Sequence, residues 1–363
     1  MNPFSDVVIA GASFAGLAVA RELSGRTVLI DPEEVGLGQT SACGAPVSLL
    51  KALGALEAVQ ERHDALIIHT PGRDVSWPLP EPFCTFDYRA CCRAALLGTG
   101  TPVMRASVHG RRGTAAVTSQ GEVPARVLVD CTGWRAALAG PANGSDRSTR
   151  DLSGRYFGLE SEAPAPFQPG LHFYFWPEIV QDGYGWAFPA GSATRIGVLS
   201  FRGRSHLGYA VAALLDRLGM PRGPVHGGFL RTGLRPPVAD GVFAVGDAAG
   251  QCLPLTGEGI RTAIQAGLVC GTLLRSALDE RITLGEAAAR YRTFVLEQRR
   301  AYRVLEWATR AALVLPARLL GLVAAWVGRP GPLRAFMGHY FGLFAPPLGG
   351  APGSGGGSLA AAQ

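Results

Sequence analysis

The stretch Asp6-Val7-Val8-Ile9-Ala10-Gly11-Ala12-Ser13-Phe14-Ala15-Gly16-Leu17-Ala18-Val19-Ala20 decides the fold. Its first five residues read as a short buried strand, and residues 14–24 read as a helix whose small side chains permit close packing on a sheet. A second apolar run, Thr27-Val28-Leu29-Ile30-Asp31, completes a strand–helix–strand unit. The turn keeps the G-x-G-x-x-G pattern, with Ser13 in the middle glycine place and Ala12 and Ala15 between the fixed positions. Gly11 makes the tight turn, Gly16 lets helix and strand approach, and the helix N-terminus offers unpaired N–H groups to a pyrophosphate. Asp31 ends the second strand, where a carboxylate accepts hydrogen bonds from an adenosine ribose and disfavours a 2′-phosphate.

A chain of 363 residues exceeds what one hydrophobic core usually supports and implies two domains with an appendage. A chain that is 47% apolar and 17% charged is far from a disordered composition. The net charge of +6 is local: residues 290–340 hold nine arginines and two glutamates, and the remainder is close to neutral. No nucleic-acid-binding module accompanies that basic region, so nucleic acid is not an expected partner. Cysteines 43, 84, 91, 92, 131, 252 and 270 form no C-x-x-C pair and have no histidine at zinc spacing. Neither a metal site nor a disulfide framework is expected, and a reduced, cytoplasmic setting follows. No basic segment precedes the first strand as in a secretory signal, and no clean run of about 20 apolar residues exists.

Alternating segments such as Leu171–Pro177 and Thr194–Phe201 predict strands of a different, mostly antiparallel sheet. Pro- and Gly-rich connections are expected around 71–82 and 140–170. Another buried strand, Gly241–Asp247, precedes a glycine-rich turn and a helix from about 259 to 278. Helical patterns run from about 284 to 344, interrupted near Pro316 and between Arg329 and Pro332. Residues 345–363, rich in Pro, Gly, Ser and Ala, read as a disordered tail.

The sequence Gly246-Asp247-Ala248-Ala249-Gly250, followed by Thr256-Gly257-Glu258-Gly259-Ile260, resembles the second fingerprint of the two-dinucleotide-domain flavoproteins. The resemblance implies FAD. It gives Asp247 the ribityl chain, and the backbone of Gly257, Gly259 and Ile260 the pyrophosphate or the N1–C2=O edge, where a helix N-terminus stabilises charge gained on reduction. Arg89 matches an arginine such proteins place on the dinucleotide; a surface salt bridge is its other reading. Asp130-Cys131-Thr132-Gly133 is similar to their middle D-x-x-G motif, but lacks the Ser and Arg that follow in the aromatic hydroxylases.

Within these flavoproteins, which include the para-hydroxybenzoate hydroxylase-like enzymes, Tyr184-Gly185-Trp186-Ala187-Phe188-Pro189-Ala190-Gly191 resembles the Y-x-W-x-F-P-x-G signature of the geranylgeranyl reductase family. Ser41-Ala42-Cys43-Gly44 is similar to the Cys-Gly pair those enzymes carry beside the isoalloxazine. Cys43 is thereby the catalytic candidate, with an inert buried thiol as its alternative, since nothing local lowers its pKa. Tyr184, Trp186 and Phe188 become the wall of an apolar substrate pocket or, alternatively, the aromatic core of a sheet.

The implied fold is α/β: a Rossmann-like FAD-binding domain with an inserted, mostly antiparallel substrate sheet and a C-terminal helical region. The expected boundaries are 1–70, 85–150 and 225–280 for the FAD domain, 71–84 and 151–224 for the substrate domain, and 281–344 for the helices. The implied activity is hydride transfer from reduced flavin to the double bonds of an isoprenoid or polyprenyl lipid, with NAD(P)H or a reduced carrier as external reductant. Aromatic monooxygenation, halogenation with Lys51 as the essential lysine, a lycopene-cyclase-like reaction and non-catalytic flavin binding remain as alternatives. Residues 285–344, arginine-flanked around an apolar stretch from Ala311 to Val327, are expected to touch a membrane surface at its inner face, or else to cover the flavin domain as core.

Overall fold

The computed structural model describes residues 5–23, 25–140 and 154–345. β1 (Ser5–Ala10) leads through the glycine turn into α1 (Phe14–Leu23) and β2 (Thr27–Asp31). β3 (Gly44–Pro46) and α2 (Val47–Leu53) precede a long hairpin of β4 (Val59–Thr70) and β5 (Arg73–Phe86). α3 (Tyr88–Leu97) is followed by β6 (Val103–Arg105), β7 (Val108–Arg112), β8 (Ala115–Thr118) and β9 (Gly121–Asp130). Then come β10 (Arg155–Ala163), β11 (Leu171–Tyr174), β12 (Gly183–Ala190), β13 (Ala193–Ser200), α4 (Gly208–Leu218) and β14 (Val225–Arg231). β15 (Val238–Ala239) and β16 (Val242–Ala244) return the chain to the first sheet. α5 (Ile260–Leu278), α6 (Leu284–Leu296), α7 (Arg299–Val314), α8 (Ala317–Val327) and α9 (Pro330–Gly342) complete the described chain.

The first sheet has the order β15-β16-β9-β1-β2-β6, with the β7–β8 hairpin attached to β9. β1 lies between β2 and β9 and is parallel to both, which matches its run of buried Val and Ile. α1 packs on α5 through small residues: a Cβ at Gly267 would stand 2.7 Å from Ala18 Cβ, and one at Gly271 2.7 Å from the Val19 carbonyl. Larger residues there would force the two helices apart.

The second sheet has the order β14-β10-β13-β12-β11-β4-β5-β3 and is antiparallel except where β11 meets β4. The α/β class with a mostly antiparallel second sheet therefore stands. Three segments expected with the FAD domain, β3, β4 and β14, pair into the second sheet instead, as does nearly all of the 71–82 connection. Proline density hid that strand. Over most of its length β5 is the sheet's edge, and Pro78, Pro80 and Pro82 fall at alternate positions, so their missing N–H groups lie on one side of the strand. α4 covers one face of this sheet, against Ile196 and Val198. The other face turns toward the first domain.

α7 ends at Val314 and α8 starts at Ala317, as Pro316 requires, and Pro330 begins α9 at its first turn. A further break separates α6 from α7 at 297–298. α8 lies along the β4–β5 hairpin, where the Trp77 indole donates to the Ala324 carbonyl at 3.0 Å. Beyond Ala345 the expected tail is outside the described residues.

Candidate functional site

At the first fingerprint, Gly11 has φ +98, and a Cβ there would stand 2.2 Å from the Cys131 carbonyl oxygen. A Cβ at Gly16 would stand 1.9 Å from the Gly11 carbonyl, so only glycine fits either place. Asp31 stabilises the turn directly: Ala12 N–H donates to its Oδ2 at 2.8 Å and Glu33 N–H to its Oδ1 at 2.9 Å. The Ser13 hydroxyl accepts from Tyr88 at 3.1 Å. Ala15 touches the second fingerprint, since a Cβ at Gly246 would lie 3.2 Å from its methyl.

Gly133 has φ +70 and follows a turn organised by Asp130. That fully buried carboxylate accepts from Thr132 N–H and hydroxyl (3.0 and 2.7 Å) and from the N–H groups of Leu138 and Ala139 (2.7 Å each). Asp247 is left less satisfied. Its Oδ2 accepts from Arg231 N–H at 3.0 Å, while Oδ1 faces Gly259, 3.5 Å from where a Cβ would stand. Burial raises its carboxyl to about 6. Gly257, at φ +63, lies against the Tyr184 hydroxyl and Leu199, and Tyr184 donates to the Thr256 carbonyl. Gly259 caps α5, whose first residue is Ile260.

Arg89 follows the Asp87 cap of α3 and pairs with Glu34 at 3.5 Å, both half-exposed. Its geometry is that of a surface ion pair beside the first fingerprint. Lys51 is exposed on α2.

Tyr184, Trp186 and Phe188 share the face of the second sheet that lacks α4, together with Phe173. This face meets the first domain: Gly44 lies 3.8 Å from the Phe188 ring, measured from its Cβ position, and Arg195 donates to the carbonyls of Ala42 (3.1 Å) and Phe86 (3.0 Å). Cys43 sits in the same junction with φ +52, fully buried, its thiol donating to the Ser41 carbonyl at 3.3 Å. Burial pushes that thiol well above its ordinary range, so it stays protonated. All seven cysteines are free and buried.

Sequence reading missed two groups here. Arg261 is buried, forks onto Glu258 at 2.9 Å through two nitrogens, and reaches the carbonyls of Leu343 and Tyr340. Tyr340 donates to Glu258 at 2.7 Å, so α9 is fastened to the turn that opens α5. The Glu-x-x-Arg spacing at 258–261 was the available signal. The second group, Glu160 with His226 at 2.6 Å, carried no local signal.

No family model matches the chain. A digeranylgeranylglycerophospholipid reductase from Methanothrix thermoacetophila is 37% identical over 116 residues, 30% of this chain and 29% of that protein. Another, from Methanosphaera stadtmanae, is 23% identical over 80% of this chain and 82% of that protein. Five such reductases align over only about a third of their own length. A geranylgeranyl bacteriochlorophyll reductase-like protein of known structure from Thermoplasma acidophilum superposes with a TM-score of 0.76 at 19% identity, covering 90% of this chain and 92% of that one. The chain therefore shares its fold with a geranylgeranyl reductase-like protein and local sequence with digeranylgeranylglycerophospholipid reductases. A flavin-dependent brominase superposes with a TM-score of 0.71 at 15% identity over 94% of each chain, which shows the fold alone. In this chain the second fingerprint touches both the first, through Gly246 and Ala15, and the aromatic strand, through Gly257 and Tyr184.

Proposed function

We propose that this chain is an FAD-dependent reductase that saturates carbon–carbon double bonds in an isoprenoid lipid. The observation that carries the reading is the junction itself: the Tyr184-Trp186-Phe188 face abuts the Gly257 turn on one side and Cys43-Gly44 on the other. FAD fits the residues present. The Gly11–Gly16 turn would hold the pyrophosphate, Asp247 Oδ1 would accept from a ribityl hydroxyl, and the N-terminus of α5 would stabilise charge gained on reduction. Reduced flavin supplies hydride, regenerated by NAD(P)H or a reduced carrier. The chain's own task is to hold an apolar alkene within about 3–3.5 Å of the hydride donor and exclude water, for which an aromatic wall suits better than a charged one. Cys43, as a protonated thiol, acts by packing rather than as a nucleophile. Arg89 is assigned to the dinucleotide edge, exchanging Glu34 for phosphate.

A cavity of about 240 Å³ opens between Phe175, Gly183, Phe201 and the Leu313–Ala317 elbow of α7 and α8. Val304, Trp307, Val314, Leu319, Leu322, Val323 and Trp326 are exposed on these helices, beside exposed Arg303, Arg310, Arg318 and Arg329. No helix among the described residues is long and apolar enough to cross a membrane. We assign this face to the membrane surface, on the cytoplasmic side, with the elbow admitting the lipid chain. Anaerobic incubation with geranylgeranyl lipids tests the activity: products gain two mass units per bond reduced. Oxygen-dependent hydroxylation without alkene reduction would replace this reading with monooxygenation.

A further inference from the structure

Alkene saturation needs a proton as well as a hydride, and the aromatic wall offers only a buried phenol, which burial makes a poor acid. Strand pairing lines up Phe173, Trp186, Gly197, Glu160 and His226 across β11, β12, β13, β10 and β14. Directly paired residues share a face, so Glu160 and His226 belong to the face of Tyr184 and Phe188. Gly197 makes the row possible: a Cβ there would strike the Trp186 ring at 2.3 Å and Glu160 Cβ at 2.6 Å. Trp186 Nε1 therefore reaches Glu160 Oε2 at 3.0 Å, while His226 Nε2 lies 2.6 Å from Oε1. Glu160 is 2% exposed. A carboxyl group so buried is costly unless its oxygens are met, and here Trp186 and His226 stand against them.

From this geometry we infer that His226 donates the proton in the proposed reduction and that Glu160 is its positioning residue. The inference rests on the alkene-reductase reading. The Gln39 side-chain nitrogen, which donates to the Ser41 carbonyl at 2.9 Å, lies 3.2 Å from the same ring nitrogen, and Gly228, two residues along β14, packs 3.3 Å from Thr40, measured from its Cβ position. His226 is thus tied to the loop that carries Cys43. Its Nδ1 has no partner among the described residues, and its side chain is 21% exposed on the outermost strand of the sheet. It shares the aromatic face and is reached by water at the sheet edge. Competing donors on this face are poor acids, because burial raises both the Cys43 thiol and the Tyr184 phenol.

Reduced flavin, when bound, would supply the hydride that forms a C–H bond at one alkene carbon as the π bond opens. The proton leaving the His226 imidazolium forms the C–H bond at the other carbon. The cofactor would be left two electrons oxidised and His226 one proton short, and water at the sheet edge would restore that proton.

The test uses the flavin-loaded full chain and its His226→Gln and Glu160→Gln variants, with geranylgeranyl lipid in D2O. The wild type is expected to place deuterium on one face of the protonated carbon. His226→Gln should lose about 100-fold in kcat, within the range ordinary for a general acid, and lose that facial selectivity while binding flavin and accepting electrons from dithionite normally. Glu160→Gln should lose about tenfold in kcat with KM unchanged. Nitrogen NMR of the flavin-free protein gives a readout that needs no turnover: the His226 ring-nitrogen signals should move when Glu160 is replaced by Gln, because the carboxylate lies 2.6 Å from Nε2. A His226→Gln enzyme with undiminished rate and selectivity would overturn the donor assignment alone. A wild type that reduces no alkene would overturn the reductase reading and the donor with it.

Discussion

Asp247 sits where a carboxylate is costly, with one backbone N–H on Oδ2 and no protein partner for Oδ1 among the described residues. Its carboxyl is raised to about 6 in the folded chain, above an ordinary value of 3.8, so folding favours the protonated form. The stabilisation is present below about pH 4 and is lost as pH rises through 6. Without flavin, Asp247→Asn should therefore unfold at higher urea concentration than the wild type at pH 7, by up to about 3 kcal/mol, yet not at pH 4. The same variant should bind FAD more weakly by fluorescence titration, since the amide is a poorer ribityl acceptor. Parallel pH dependences of the two proteins would contradict this. Asp247 was readable because Gly-Asp ends a buried strand. Glu160 was not: in Gly158-Leu159-Glu160-Ser161-Glu162 the charges look like the solvent side of an alternating strand, and only the strand order places them at a domain junction.

At the scale of elements, the first strand–helix–strand unit was the most readable part, because β-branched runs, small helix residues and glycines all specify one geometry. β4 and β5 were the least readable. Their pairing is set by each other, not by local pattern, and the prolines of β5 mimic a connection. α9 was visible as a helix, but its anchor was not. Arg261 binds Glu258 and the last carbonyls of α9, so Arg261→Met leaves the Glu258 charge unpaired in a largely buried place. A loss of about 3–5 kcal/mol in unfolding free energy is expected. Limited proteolysis should then cut first near residues 328–345. Cleavage at the wild-type rate would show that α9 is held by apolar packing alone.

The whole molecule places a dinucleotide domain and an aromatic sheet face together, with α7 and α8 as the outer rim. Composition showed the local basicity but not which side of each helix is covered. Trp307 and Trp326 are 71% and 57% exposed, and each arginine near an anionic surface adds about 1 kcal/mol. Replacing both tryptophans with Glu should reduce flotation with anionic liposomes at least tenfold at low salt, at unchanged flavin content. Equal flotation would mean this face does not meet lipid. The central claim, hydride transfer to an isoprenoid alkene, is tested most directly by a single anaerobic turnover. Enzyme whose flavin has been reduced by dithionite is mixed with geranylgeranyl lipid, and flavin absorbance and product mass are followed together. Flavin is expected to reoxidise without oxygen, with one double bond saturated for each flavin oxidised; flavin that stays reduced until air is admitted, with the lipid unchanged, would rule out hydride transfer to the alkene.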